Sequence, residues 1–139
     1  MRVLPSTILL GTTLLAAAAV QADPARDAIL AATAAKAKQA DPAFAGFDAA
    51  RGEAFWLATH QGGKPDTPSC TTCHGPDPRA PGQTRAGKTI APMAVSANPQ
   101  RFTDADTVAK WFTRNCNSVL GRDCTPVEQG DVLTYLSSK

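Results

Sequence analysis

Apolar positions along this chain fall into separate stretches, divided by one long polar interruption. The first stretch is a nearly continuous apolar run from Ile8 to Val20, behind a single positive charge at Arg2. It is shorter than the roughly 20 residues that a membrane-spanning helix needs. Followed by Val20-Gln21-Ala22, a small-residue cleavage site, it reads as a secretory signal removed after Ala22. Residues 1–22 are therefore assigned to a signal peptide and 23–139 to one domain. An uncleaved membrane anchor is the other reading of the same run.

Four helices are predicted beyond it. Asp23-Pro24 opens an Ala-rich segment that runs to Gln39, with Asp23 as N-cap and Pro24 in the first turn. Asp41-Pro42 breaks it. A second helix is expected from about Asp48 to Thr59, with Phe55, Trp56 and Leu57 as its apolar content. Gly52 lies one turn before Trp56 and would let another helix approach closely. Thr103-Asp104-Ala105-Asp106 opens the third, with Thr103 as N-cap and Val108, Trp111 and Phe112 at helical spacing. Its expected end is near Asn115. The last begins at Thr125-Pro126-Val127-Glu128, a capping-box pattern, and buries Val132, Leu133, Tyr135 and Leu136. Neither strands nor repeats are expected, so the fold class is all-α.

The interruption runs from Gln61 to Pro99 and holds five Gly and seven Pro in 39 residues. So long an irregular stretch argues against a compact domain unless something else orders it. Cys70-Thr71-Thr72-Cys73-His74 supplies the reason. C-x-x-C-H is the attachment signature of a c-type haem. Two thiols at this spacing reach the two vinyl groups of one porphyrin as thioethers, and the adjacent His meets the iron. A covalent porphyrin then gives the loop an apolar surface to wrap. Cys70 and Cys73 are thus the candidate haem-binding residues of one haem c, and His74 the candidate proximal iron ligand. A thioredoxin-like dithiol would need a βαβ setting, and the motif instead follows a loop with Gly62, Gly63, Pro65 and Pro68. A zinc site would need a second ligand pair at matching spacing, and Cys116 and Cys124 are eight apart.

Attachment of this kind takes place outside the bacterial cytoplasm, which agrees with the signal and places the protein in the periplasm. In that oxidising compartment a disulfide is the default for Cys116 and Cys124. Two buried free thiols are the other possibility. Fourteen basic and twelve acidic residues nearly cancel. Without a P-loop, zinc-finger spacing or a basic run, nothing points to nucleic acid. Between Lys64 and Arg114 there are seven basic and four acidic residues. These suit either a basic rim that steers an acidic partner or solvated loop charges.

The sixth iron ligand separates electron carriers from ligand binders. Met93, after Pro92, would make a plain low-spin His/Met carrier; the alternative for it is apolar packing. His60 would give a bis-His haem, and a water-bound position is a third possibility. Asn115 is the fourth candidate, with a helix C-cap as its structural alternative.

Gly52 and Trp56, with Gly130 and Leu133 or Tyr135, resemble the helix crossing of class I cytochromes c. The resemblance covers roughly Asp48 to Lys139 and leaves the Ala-rich helix outside. Within that class, Lys110-Trp111-Phe112-Thr113-Arg114-Asn115-Cys116, Gly121-Arg122-Asp123-Cys124-Thr125 and Gly130-Asp131 look like the SHP type. Pro65-Asp66-Thr67-Pro68-Ser69 and Pro92-Met93 also fit it. The resemblance implies a class I fold of about four helices around one covalent haem. It implies Asn115 as distal ligand in the ferric state, lost on reduction, and a Cys116–Cys124 disulfide beside it. It further implies binding of oxygen or other diatomic ligands by the reduced protein. The implied electron donor is a dihaem cytochrome c, linked in turn to a membrane cytochrome b. No motif places a general acid or base near the iron, so a gas-binding electron-transfer protein is expected rather than an enzyme.

Overall fold

Two helices cross at a point where one of them has no side chain. In the computed structural model, which describes residues 22–139, these are α2 (Ala49–Leu57) and α5 (Pro126–Ser137). They form the most extensive helix pair of the fold. A Cβ on Gly52 would run into the Asp131 carbonyl and lie 2.9 Å from Tyr135 Cβ. The close approach expected of Gly52 is therefore real. Gly130 has another role than the one expected: a Cβ there would run into the ring of Phe47. Phe47 lies in the segment leading into α2 and packs on Phe44, ring centroids 5.0 Å apart.

The crossing is fastened by a carboxylate. Asp131 is buried; its Oδ1 accepts from Asp48 N at 2.7 Å and Arg51 Nη2 at 2.8 Å, and its Oδ2 accepts from Arg51 Nε at 2.8 Å. A buried acceptor needs such partners to offset its lost hydration. Trp56, Val132, Tyr135 and Leu136 form the core cluster here, and Phe55, Cys70, Met93, Phe102 and Phe112 pack against it.

α1 (Pro24–Ala40) also packs on α5. Its N-cap is Asp23, whose side chain accepts from Ala25 N and Arg26 N. Arg26 is 4% exposed. Its Nη2 donates to the carbonyls of Pro99 (2.7 Å) and Arg101 (3.0 Å), and its Nε to Arg101 at 3.1 Å. This clamp holds the turn before Phe102, which has φ 63. Such a left-handed conformation costs a non-glycine residue about 1–2 kcal/mol, which the packing of its ring on the core offsets.

α3 is the single turn Thr71–His74, and α4 spans Ala105–Leu120. α4 is longer than expected. No helix breaker follows Asn115 until Gly121, which takes the left-handed cap conformation with φ 70 and ψ 12. Asn115 is therefore an interior helix residue, not a C-cap. The N-cap is Asp104 rather than Thr103. Asp104 Oδ1 accepts from Thr107 N at 2.7 Å, whereas the Thr103 hydroxyl donates back to Gln100. α2 is shorter than predicted and is capped by Asp48. Two short strands were not anticipated: β1 (Gly82–Gln83) pairs antiparallel with β2 (Thr89–Ile90), Gly82 opposite Ile90. Two residues are too few to display an alternating pattern. The capping box of α5 is formed as expected, with Arg122 bridging to Glu128 at 2.8 Å. The signal peptide lies outside the described residues, except for Ala22. Among the described residues no helix is long and apolar enough to cross a membrane.

Candidate haem site

The five motif residues sit on α3 and its N-cap, Cys70, within the long Gly/Pro-rich stretch. Trp56 anchors this turn from the α2 side. Its Nε1 donates to the carbonyl of Gly75 at 3.3 Å, and its ring lies 5.2 Å from that of His74, tilted by 33°. Ser69 continues the attachment: its hydroxyl reaches the Trp56 carbonyl at 3.4 Å and the Thr71 hydroxyl at 2.9 Å.

His74 is held neutral. Burial, and then the positive charge of Arg101, bring it down to about 4. A metal-ligating imidazole must be unprotonated. Its Nδ1 is buried without a partner among the described residues, and buried polar atoms in native proteins are nearly always satisfied. Cys70 and Cys73 are free thiols, and burial pushes the Cys70 thiol up to about 11. Both thiols, the neutral imidazole and its orphaned nitrogen fit a covalent haem. α4 adds to this fit. Its stripe of Val108, Trp111 and Phe112 packs extensively on no other described helix, and Trp111 is 49% exposed. Phe112 touches the core cluster, but Trp111 stays uncovered, and a stripe so partly covered leaves room for a porphyrin face.

The zinc alternative loses its second ligand pair, because Cys116 and Cys124 are joined to one another with Cα atoms 5.5 Å apart. His60 is also engaged elsewhere: its Nε2 lies 2.9 Å from the Phe55 carbonyl and its ring packs on Phe55 at 4.6 Å. Met93, like Cys70, packs against the core cluster, and its backbone N–H donates to the Pro78 carbonyl at 2.8 Å. Asn115 is exposed on α4, directly before buried Cys116.

Three comparisons bear on this arrangement. Residues 42–136 match the family model described as a domain of unknown function (DUF1924). The chain is 63% identical to the cytochrome c-type protein SHP of Cereibacter sphaeroides over 92 residues, 66% of this chain and 71% of that one. The chain belongs to the SHP family of c-type cytochromes.

Solved structures agree with that membership. Oxidized SHP, described as an oxygen-binding cytochrome c, superposes with TM-score 0.75 at 54% identity, over 82% of this chain and 96% of that one. The solution structure of cytochrome c'' from Methylophilus methylotrophus, presented as giving insight into haem-ligand detachment, matches with TM-score 0.70 at 30% identity, over 82% and 93%. As an SHP-family cytochrome the protein has the all-α class I-like fold and one covalent haem c.

The disulfide of this SHP-family cytochrome closes a short loop between α4 and α5, with a sequence separation of 8. Chain entropy credits such a loop with about 2–3 kcal/mol. Cys124→Ser is expected to lower unfolding stability by that amount, measured by denaturant titration of the haem-loaded protein.

Several contacts lay beyond sequence reasoning. The charge of Arg101 beside His74 is one, because it depends on a turn that Arg26 holds from the other end of the chain. Gly62 and Gly63 are another. A Cβ on Gly63 would run into the backbone of Ser118 and Val119, and one on Gly62 would lie 2.7 Å from the Leu120 carbonyl. Adjacent glycines before Lys64-Pro65 were a sign of close backbone approach that could have been read.

Proposed function

We propose that this protein is a periplasmic ligand-binding cytochrome in which Asn115 is the ferric axial ligand and withdraws on reduction. When bound, the haem supplies a one-electron iron couple and a coordination position for a diatomic molecule such as oxygen. Cys70 and Cys73 hold it through thioethers. His74 presents a neutral imidazole from the proximal side, oriented by Trp56. The amide oxygen of Asn115 is a hard, weak donor that suits ferric better than ferrous iron, so reduction loosens it.

The observation that carries this reading is the setting of Asn115. Its side chain has no hydrogen bond to the described residues, while Cys116 beside it is tied to Cys124. A side chain free to move on a pinned backbone can leave and return. The resemblance of Asn115-Cys116 and Cys124 to the SHP pattern supports the same assignment, as does the description of the SHP relative as oxygen-binding. Electron supply from a dihaem cytochrome c, itself linked to a membrane cytochrome b, belongs to the same proposal. So does export under the predicted signal.

Optical spectra of the oxidised and reduced protein, with and without carbon monoxide, test it. A reduced form that takes up carbon monoxide readily is expected. A low-spin reduced form indifferent to the gas would assign the iron to Met93 and make the protein a plain carrier.

A further inference from the structure

The end of the helix that carries Asn115 rests on the loop that leads into the haem motif. Ser118 lies three residues past Asn115, so its carbonyl stands about 4.5 Å further along the helix axis. Because α4 stops at Leu120, that carbonyl has no helical partner of its own. It accepts instead from Lys64 N at 2.7 Å and from the Thr67 hydroxyl at 3.1 Å. Gly62 and Gly63 bring the loop backbone directly against the backbone of residues 118–120. Gly121 fits from the other side, since a Cβ there would run into the Gly62 carbonyl. Thr67 is 8% exposed and stands three residues before Cys70. The His60 N–H bond to the Pro68 carbonyl, at 2.7 Å, closes the loop on itself.

We infer that Thr67 and Gly63 are positioning residues for the sixth ligand, setting the reach of Asn115 to the iron by docking the end of α4 on the loop before Cys70. The inference rests on the reading of Asn115 as ferric ligand. A weak amide donor stays on iron only where the scaffold places it, so a small displacement of α4 should free the ferric position. The ferrous position, from which Asn115 has already withdrawn, should not respond.

Azide binding to the ferric protein and carbon monoxide binding to the ferrous protein separate the two states. Thr67→Val removes the hydroxyl, keeps the side-chain shape and leaves the Lys64 bond in place, so the fold persists. Ferric azide affinity is expected to rise about fivefold, the scale of one net hydrogen bond. Ferrous carbon monoxide affinity should stay within about twofold of the parent, and Thr67→Ser should restore the parent behaviour. Gly63→Ala should exceed Thr67→Val in the same direction. Unchanged azide affinity in Thr67→Val, with Asn115→Ala altered, overturns the inference alone. Equal changes in both oxidation states would reduce Thr67 to a structural role and also overturn it. An unaltered ferric spectrum in Asn115→Ala removes the ligand assignment and this inference together.

Discussion

Asn115→Ala should change the ferric spectrum to that of a water-ligated haem and leave the ferrous carbon monoxide complex as it was. The amide is lost only from the state in which it is bound. Ferric azide affinity should rise about tenfold or more, corresponding to a ligand worth at least ~1.4 kcal/mol. The substitution lies in an exposed helix interior, where Ala is the best helix former, so stability should hold or improve slightly. Optical titration of oxidised and reduced protein checks both halves of this expectation. Unchanged ferric azide binding would return Asn115 to the role of an ordinary surface residue on α4.

The largest expected loss of stability comes from a single added methyl group. Gly52→Ala places a Cβ against the Asp131 carbonyl, which is backbone and cannot rotate away. α2 and α5 would have to separate at their closest point. The Asp131 bonds to Asp48 N and Arg51 would stretch with them. Overpacking of this kind costs about 1–3 kcal/mol and occasionally more. The upper end is expected here, because the same crossing seats Trp56 against the motif turn. Denaturant unfolding of the haem-loaded variant measures the loss. A shift below ~0.5 kcal/mol would mean that the helices cross elsewhere.

Those two positions were legible in the sequence for different reasons. Gly52 stands out because a small residue one turn from Trp56 has a packing explanation and little else. Asn115 stands out only through resemblance; by local pattern it could equally have capped a helix. Helix starts were readable where one residue does the capping, as at Asp23 and Thr125. They were misjudged by a residue where two caps compete, as at Thr103 and Asp104, since only the three-dimensional course of the chain decides which side chain reaches Thr107 N. The motif turn itself was plain. What holds it was not: Ser69, the Trp56 indole and the charge of Arg101 act across 13 residues or more of chain. The Gly/Pro-rich stretch between Gln61 and Pro99 hid most. The start of that stretch is fixed by backbone meeting backbone at Gly63 and Ser118, a contact with no side-chain signature on the helix side.

The Arg26 clamp has a consequence for assembly. Its carbonyl acceptors lie 73 and 75 residues further along the chain, and the other surface that α1 covers is α5. Closing so long a stretch of chain has an entropic cost, so α1 gains its place only when the Pro99–Arg101 turn and α5 are there to receive it. Clipping of residues 41–48 by a protease is expected to be faster in Arg26→Ala, in which α1 loses its hold on the Pro99–Arg101 turn.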